Sequence, residues 1–303
     1  MSFDLYFAGT QNDICETYML ENNFCRLQSQ LNDRKTIQRW CEAESHGKLF
    51  IDSGAYTAYT RGTELNVDEY IEYLNSIDKH LTIFAQVDKI PGKHGQEKTL
   101  EEIKEAPILS WENYLYMREK VVSPDKLLPI FHRRESWKHL ERMLETTFDG
   151  KHIPYIGIAA TTDSSTKEKK EWFDRVFYII QHSSNPKVKT HAFGMTSLKL
   201  LEMYPFTSAD STSWIMVGAN GSIISPFGVV YVSENDTSSP NHIMNMNPDN
   251  LTHFRKYLDS MDIDFTEICK DYKARMLANL KYLKQWADNY EFKGTKFTKR
   301  FLF

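Results

Sequence analysis

The sequence is poor in cysteine and has no long apolar run. Four cysteines stand among 303 residues and none is paired as CxxC, a pattern that favours reduced thiols over a disulfide framework or a zinc site. No run of about 18 apolar residues is present to span a membrane. The start, Met1-Ser-Phe-Asp-Leu5, lacks the basic and long apolar segments of a signal peptide. We therefore expect a cytoplasmic protein with no membrane partner.

Positive charge is not in excess either. The 41 acidic and 37 basic residues give a formal net charge of -4 at pH 7, so bulk electrostatics gives no reason to expect nucleic-acid binding. A local basic patch can still supply phosphate contacts in an acidic protein, so the partner has to be inferred from the site. An apolar content of 41% is ample for a buried core.

Short apolar runs alternate with amphipathic segments along most of the chain. Eight runs predict strands, over residues 4–8, 48–51, 81–87, 127–131, 155–159, 190–193, 207–209 and 223–232. Helical spacing of apolar residues predicts helices over 67–77, 100–120, 137–144, 167–181 and 197–203. This alternation predicts the α/β class and a (β/α)8 TIM barrel. No GxGxxG follows the first strand, which argues against a doubly wound dinucleotide-binding sheet.

The last part of the chain differs in kind. From residue 249 to 290 the apolar spacing is helical throughout, and a polar run over 233–241 precedes it. We therefore predict a barrel catalytic domain over residues 1–235. A C-terminal loop and helical extension over 236–303 is expected to pack on that barrel.

Two predicted strands end on an aspartate followed by small or hydroxyl residues. Asp52 lies in Phe50-Ile-Asp-Ser-Gly-Ala-Tyr56, and Asp210 lies in Phe206-Thr-Ser-Ala-Asp-Ser-Thr-Ser-Trp214. The carboxyl ends of barrel strands carry the catalytic groups of such enzymes. Two carboxylates there suggest an enzyme that forms a covalent ester or stabilises a developing positive charge. Either aspartate alone is also consistent with a helix cap or a turn.

Asp88 and His132 follow two further predicted strands. Asp88 lies in Ala85-Gln-Val-Asp-Lys-Ile-Pro-Gly92, where its carboxylate could accept two N–H groups of a planar heterocycle. A salt bridge to Lys89 or to a neighbouring cation is an equally good interpretation. His132 ends Pro129-Ile-Phe-His132, and a lone histidine is often a structural, hydrogen-bonded residue.

Glycines in two predicted strands leave a similar choice open. Gly157 could let a flat ligand approach bare backbone, or it could relieve crowding inside the barrel. His191 and Gly194 close the sixth predicted strand, and the same two interpretations apply to them.

The order of these motifs resembles the tRNA-guanine transglycosylase superfamily. The segments are Asp-Ser-Gly-Ala-Tyr, Gln-Val-Asp, Pro-Ile-Phe-His, Ile-Gly-Ile-Ala and Ser-Ala-Asp-Ser-Thr-Ser-Trp, between about residues 5 and 232. They are most similar to the DpdA-type branch of phages and bacteria, which is proposed to place queuosine-related 7-deazaguanine bases in DNA. The protein would then act in the host cytoplasm if a phage encodes it.

The resemblance implies a role for each motif. It makes Asp52 the general acid and base and Asp210 the nucleophile that forms a covalent aspartyl-sugar intermediate. The substrate-binding residues are then Asp88, His132, Gly157, Ile158, Tyr56 and Ser53. The aromatic residues Tyr56, Tyr59, Phe131 and Trp214 could stack on the base. Neither a metal nor a cofactor is implied.

The sequence departs from the tRNA enzymes in three places. Gly54-Ala-Tyr-Thr57 stands where their motif continues Gly-Gly-Phe-Gln, and His132 replaces a base-contacting glutamine. Their C-terminal CxCxxC zinc subdomain is missing. Because that subdomain helps to hold tRNA, its absence favours DNA over tRNA as the polymer substrate, with a 7-deazaguanine base as the small-molecule substrate.

Several alternatives stay open at this point. The chain could be a tRNA-guanine transglycosylase-like enzyme on RNA, a barrel N-glycoside hydrolase, or a non-catalytic nucleic-acid-binding barrel. A homodimer is also left open. Candidate phosphate contacts, which could equally be solvated charges, are Arg133, Arg134, Lys293, Lys296, Lys299 and Arg300.

Overall fold

The computed structural model describes residues 3–9, 12–31, 34–160, 164–195, 197–235 and 238–294. Its strands are β1 (Asp4–Phe7), β2 (Cys25–Ser29), β3 (Leu49–Asp52), β4 (Leu81–Ala85), β5 (Leu127–Leu128), β6 (Ile130–His132), β7 (Thr147–Phe148), β8 (Lys151–His152), β9 (Tyr155–Ala159), β10 (Lys189–Phe193), β11 (Ser208–Ser211), β12 (Ser222–Ser225) and β13 (Gly228–Tyr231).

Twelve α-helices lie within the same described residues. They are α1 (Asp13–Glu21), α2 (Arg34–Glu42), α3 (Ala55–Arg61), α4 (Val67–Ile77), α5 (Leu100–Lys120), α6 (Trp137–Glu145), α7 (Thr166–Gln181), α8 (Leu198–Met203), α9 (Ser213–Ala219), α10 (Pro248–Ser260), α11 (Phe265–Lys270) and α12 (Tyr272–Asp288). None of these helices is long and apolar enough to cross a membrane.

Nine parallel strands form one sheet in the order β5-β4-β3-β2-β1-β11-β10-β9-β6. The two end strands, β5 and β6, are consecutive in the chain and only Pro129 separates them. The N–H of Gln86 donates to the Leu128 carbonyl at 3.1 Å, and that of Gly157 donates to the Pro129 carbonyl at 2.8 Å. The sheet is therefore a nearly closed barrel, consistent with a TIM-like fold.

The strand count differs from the prediction of eight. The predicted strand over 127–131 is divided at Pro129, which has no N–H to donate. The predicted eighth barrel strand, over 223–232, is wrong, because β12 and β13 pair antiparallel with each other outside the main sheet. The barrel strand β2 was not predicted.

Strand β2 was not predicted because it contains a charged residue that is buried in an ion pair. Its Arg26 is fully buried and pairs with Glu16 of α1. The same guanidinium donates to the backbone carbonyls of Leu27 at 3.0 Å and Gly9 at 2.6 Å. A buried charge is tolerated only when it is paired and its donors are satisfied. The strand is therefore buried through tertiary contacts that its own sequence does not reveal.

The apolar core has an inner and an outer layer. Side chains such as Phe50, Leu128 and Ile130 fill the barrel interior, and a larger cluster packs the strands against the helices. Helix α12 belongs to that outer layer through Met276 and Leu280. A third cluster joins the β12–β13 hairpin to α10 and α11. Helix α12 thus contacts the barrel layer, α10 and α11 pack with the hairpin, and the domain division at residue 235 stays a prediction.

Candidate active site

Strand ends bring the predicted polar residues to one mouth of the barrel. Asp52 ends β3, His132 ends β6, Asp210 lies on β11, and Asp88 follows β4 by three residues. These strands are parallel, so their carboxyl ends lie at the same edge. The charges of Asp210 and Asp88 both act on the pKa of Asp52, as expected of carboxylates that share one mouth.

Two neighbours of Asp210 hold its carboxylate. The Gly194 N–H donates to Oδ1 at 2.8 Å, and His191 Nε2 lies 3.2 Å from the same oxygen. His191 and Gly194 come from β10 and the turn after it, and the register pairs His191 with Ser208 of β11. Because strand residues two apart face the same side, Ser208 and Asp210 both face this histidine. None of the described residues donates a hydrogen bond to the second carboxylate oxygen of Asp210.

His191 has no freedom to turn. Its Nδ1 lies 2.6 Å from Ser208 Oγ, and its ring is packed edge-on against Phe50 and Phe193 with centroid distances of 4.8 and 4.5 Å. An ionised carboxylate only accepts, whereas a hydroxyl can donate. His191 Nε2 is therefore the donor to the Asp210 carboxylate, and Ser208 Oγ bonds the other ring nitrogen.

Asp52 has a different environment. Its Oδ2 accepts from the Gly54 N–H at 3.0 Å. Gly54 adopts φ +77°, and a Cβ there would lie 2.7 Å from Ser29 Oγ, so the tight turn requires glycine. Burial raises the pKa of Asp52 to about 6, with added contributions from the charges of Asp210 and Asp88, against the opposing Gly54 N–H.

Asp88 pairs with His132 rather than with Lys89. His132 Nε2 lies 2.9 Å from Asp88 Oδ2, and Gln86 Nε2 donates to Oδ1 at 2.6 Å. Burial alone would lower the pKa of His132, but the Asp88 carboxylate outweighs burial and, with Glu135, raises it to about 9. A pKa of about 9 favours the imidazolium at neutral pH, so Asp88 forms an ion pair with a neighbouring cation, and its role as a base-binding residue stays a prediction.

Glu135 is a further carboxyl group beside this pair. Its Oε2 accepts from the backbone N–H of His132 at 3.2 Å. Burial raises the pKa of Glu135 to about 7, although the His132 charge opposes that rise. The pKa values of His132 and Glu135 are therefore coupled on the side of the mouth that Asp88 also lines.

Ser53 and Tyr56 lie on either side of the Gly54 turn. Ser53 is buried, its carbonyl accepts from Gln30 Nε2 at 3.0 Å, and its Oγ accepts from the Ala55 N–H at 3.4 Å. Its hydroxyl therefore supports the turn. Tyr56 is 69% exposed on α3 and is accessible to a ligand.

Gly157 and Ile158 lie deeper than the strand ends. A Cβ on Gly157 would meet the Phe193 ring at 2.5 Å and Leu128 at 3.0 Å, so this glycine relieves crowding inside the barrel. Ile158 is buried in the outer layer of the core. Either residue can offer only its backbone to a ligand.

The four predicted stacking residues divide into two classes. Phe131 is fully buried against Trp172, and Trp214 is fully buried with its Nε1 donating to the Ala8 carbonyl at 2.9 Å. Neither ring can stack on a base at the mouth. Tyr56 and Tyr59, whose centroids lie 6.4 Å apart on α3, retain exposed surface.

Two of the six predicted phosphate contacts form ion pairs within the protein. Arg133 donates to Ser164 Oγ at 2.8 Å and pairs with Glu168 at 3.3 Å. Lys293 pairs with Glu202 at 2.6 Å. Three tail residues lie outside the described part of the chain: Lys296, Lys299 and Arg300.

Sequence reasoning missed three residues that hold the site together. Ser208 orients His191, Gln86 bonds Asp88, and Glu135 accepts from His132. Ser208 and Gln86 each precede a predicted site aspartate by two residues on an extended segment. That spacing, which places two side chains on one face of a strand, was an available signal.

No described group of three or more His, Cys, Asp or Glu residues has a geometry that could hold a metal ion. Neither a comparison with protein-family models nor one with curated protein sequences returns a match. The chemistry is therefore inferred from the geometry of the mouth.

Proposed function

We propose that the protein is a base-exchange transglycosylase that replaces guanine in DNA with a 7-deazaguanine base. The observation that carries this proposal is that two carboxylates at strand ends of the same barrel mouth, Asp210 and Asp52, have different environments. Asp210 is held at Oδ1 by His191 and Gly194, and no residue of the described ranges donates to its Oδ2, whereas the pKa of Asp52 is raised to about 6. One group suits a nucleophile and the other an acid and base.

The scaffold fits this chemistry when β5 and β6 are treated as the two halves of one strand. The sheet then has the eight positions of a (β/α)8 barrel, whose active sites lie at the carboxyl ends of the strands. Asp52, Asp88, His132 and Asp210 all stand at that end.

In the first displacement, an Asp210 oxygen bonds C1′ of the target nucleotide while the C1′–N9 bond breaks. Guanine leaves with the electron pair of that bond and takes a proton from Asp52. The sugar passes through an oxocarbenium-like state, which the Asp210 charge stabilises. A carboxyl group with a pKa of about 6 supplies this proton near neutral pH.

In the second displacement, the 7-deazaguanine loses its N9 proton to Asp52 and attacks C1′ from the side that guanine left. The ester to Asp210 breaks and the carboxylate is regenerated. Two inversions give net retention at C1′, and the enzyme returns to its starting protonation state. The balance requires no redox partner.

Base recognition is assigned to the Asp88 and His132 pair. A carboxylate accepts from the adjacent N1–H and amino group of a guanine edge, and an imidazolium donates to a carbonyl oxygen such as O6. The two together match an edge with donors on one side and an acceptor on the other. Adenine presents no such combination, so we expect it to be rejected.

The decisive experiment supplies DNA containing labelled guanine, with and without added 7-cyano-7-deazaguanine. Base exchange releases label over many turnovers only when the second base is present, and mass spectrometry then finds the modified base in the DNA. Without added base, release should stop at about one equivalent per enzyme, and continued release would instead indicate an N-glycoside hydrolase. Incorporation into tRNA alone, with none into single- or double-stranded DNA, would overturn the choice of polymer.

A further inference from the structure

A cleft of about 690 Å³ opens beside the mouth, between α3 and the loop that follows β4. Asp88 is part of the cleft wall, and through its bond to His132 it is also part of the mouth. The loop is fixed to α5, because the Lys89 N–H donates to Ser110 Oγ at 2.9 Å and Asn113 Nδ2 donates to the Val87 carbonyl at 2.9 Å. The cleft therefore adjoins the candidate site, and hydrogen bonds to α5 hold the loop that forms one of its walls.

Three cations in the cleft wall are not engaged by carboxylates. Arg61, Lys89 and Lys93 are exposed, and none forms an ion pair with any carboxylate in the described ranges. Glu64 and Asp88 also line the cleft, but Asp88 is neutralised by His132. The cleft thus carries positive charge that is available to an anionic ligand, in a chain whose net charge is negative.

Aromatic surface also lines the cleft. The Tyr59 ring lines the cleft, with the His94 ring edge-on at 5.7 Å and Lys98 Nζ 5.5 Å from its centroid. Tyr56, 6.4 Å from Tyr59, is 69% exposed on the same helix. Cations interleaved with aromatic rings are the combination that binds single-stranded nucleic acid, because phosphates meet the charges and unpaired bases stack on the rings.

We propose that this cleft binds the single strand of DNA that flanks the target nucleotide. Arg61, Lys89 and Lys93 contact phosphates, and Tyr59 stacks on a neighbouring base. The strand then runs from the cleft past Asp88 and delivers the target base to the mouth. The inference rests on the proposed function, since it takes the ligand of the mouth to be a nucleotide.

An unpaired strand fits this arrangement better than a duplex. Tyr59 can stack only on a base that is free of its own partners, and a base that reacts at C1′ has to leave the helical stack. The energy of unpairing is recovered in part when cleft and mouth bind the same strand. We therefore expect single-stranded DNA to bind more tightly than a duplex of the same sequence.

The test measures binding of a fluorescent single-stranded DNA oligonucleotide by anisotropy across a range of salt concentrations. The variant Arg61→Ala/Lys89→Ala/Lys93→Ala should lose at least tenfold in affinity at low salt. Its slope of log K against log salt should fall by about 2, since each phosphate contact on a single strand contributes about 0.7. The control Lys151→Ala/Lys187→Ala/Lys256→Ala removes three exposed lysines outside the cleft. Equal losses in the two variants, or no loss in either, would overturn the proposal.

The stacking role has its own pair of variants. Tyr59→Phe keeps the ring and should bind as the wild type does, whereas Tyr59→Leu should lose about fivefold or more in affinity. Thermal melting of each variant separates loss of the contact from loss of the fold. If Tyr59→Leu does not fold, the exposed Tyr56→Leu replaces it. Unchanged affinity in a folded leucine variant, or duplex DNA bound as tightly as the single strand, would contradict stacking.

Failure of this inference is distinguishable from failure of the proposed function. If the cleft variants lose binding but wild-type protein exchanges no base, the cleft is a nucleic-acid site and the transglycosylase proposal is wrong. If wild-type protein exchanges bases and the triple cleft variant retains the wild-type KM for DNA, the cleft proposal is wrong. Tighter binding of an RNA of the same sequence would overturn the assignment of the strand as DNA.

Discussion

Two aspartate–histidine pairs stand on different sides of the barrel mouth, and they are built differently. In the first, His191 is fully buried, both ring nitrogens are bonded, and its Nε2 lies 3.2 Å from Asp210. In the second, 36% of the His132 side chain is exposed, and its Nε2 lies 2.9 Å from Asp88. The first histidine is constrained by packing, whereas the second is held by charge.

The difference teaches which pair suits chemistry and which suits recognition. A nucleophilic carboxylate reacts faster when its position is fixed, because correct geometry lowers the barrier to bond formation. Recognition gains from donors and acceptors that a ligand can reach. The Asp210 side has the first property and the Asp88 side has the second. Asp52 stands between them electrostatically, since both aspartates raise its pKa.

The largest expected effect comes from the constrained side. Asp210→Asn should abolish exchange while the fold survives, because an amide is nearly isosteric but a far weaker nucleophile at C1′. Asp174→Asn is the matched control, since Asp174 is also an aspartate held by neighbouring donors, Lys170 at 2.9 Å and Tyr204 at 2.7 Å, with 11% side-chain exposure against 12% for Asp210. The control should retain activity. Exchange at the wild-type rate in folded Asp210→Asn protein would remove the nucleophile assignment and with it the comparison.

A covalent adduct gives the same test from the opposite direction. Wild-type protein mixed with DNA and no incoming base should yield a denaturation-resistant complex that mass spectrometry maps to Asp210. An adduct on Asp52 instead would make Asp52 the nucleophile and Asp210 the general acid and base.

The main residues of the candidate site could be predicted from the sequence, because each of them ends or follows an apolar run. They are Asp52, Asp88, His132 and Asp210. The helices over 67–77 and 100–120 were also predicted, with bounds that the structure confirms. Their N-caps explain this success, since Asn66 accepts from the first turn of α4 and Thr99 forms a capping box with Glu102.

The pairing of these residues could not be predicted. Asp88 and His132 are 44 residues apart, so their bond exists only because β4 and β6 end at the same edge. The burial of charged side chains could not be predicted either. Arg26 is the example, because a charged residue in a strand is expected to face solvent unless its buried ion-pair partner is known. Phe131 and Trp214 were named as rings that could stack on the base, but alternation along the strand and helix packing direct them into the core.

The next largest effect tests the group between the two sides. Asp52→Asn should slow exchange by about a hundredfold or more, with little effect on DNA affinity, because in the proposed mechanism this group moves a proton and does not bond the sugar. In wild-type protein kcat/KM should fall above about pH 6, where Asp52 loses the proton that guanine needs. That limb should be missing from the variant. A variant with weakened binding and normal turnover would make Asp52 a binding group.

A smaller effect is expected at the recognition side. Asp88→Ala removes a charged acceptor, so affinity for 7-cyano-7-deazaguanine should fall by about 2 kcal/mol, or some thirtyfold, as measured by calorimetric titration. Asp78→Ala is the control, because it also breaks an ion pair, with Lys126 at 3.1 Å, but it stands at the amino end of β4. Equal affinity in Asp88→Ala and wild-type protein would reduce Asp88 to a structural partner of His132.

The smallest effect is on stability, and its pH dependence distinguishes a charged His132 from a neutral one. Its pKa in the folded protein is about 9, above the ordinary value of 6.5, so the folded state holds the proton more tightly than the unfolded state does. The resulting stabilisation is fully present below pH 6.5 and is lost as the pH rises through about 9. Because the side chain is more than a third exposed, solvent screening limits the effect to about 1 kcal/mol.

Urea unfolding of wild-type and His132→Gln proteins at pH 6 and pH 9.5 measures this term. The difference in unfolding free energy between the two proteins should shrink by about 1 kcal/mol at the higher pH. His253→Gln, an exposed histidine on α10, should show no such change. If the difference in unfolding free energy stays constant between these two pH values, the Asp88 carboxylate does not hold His132 in its charged form. The two pairs would then differ only in burial, and the assignment of the second to recognition of an acceptor edge would lose its physical basis.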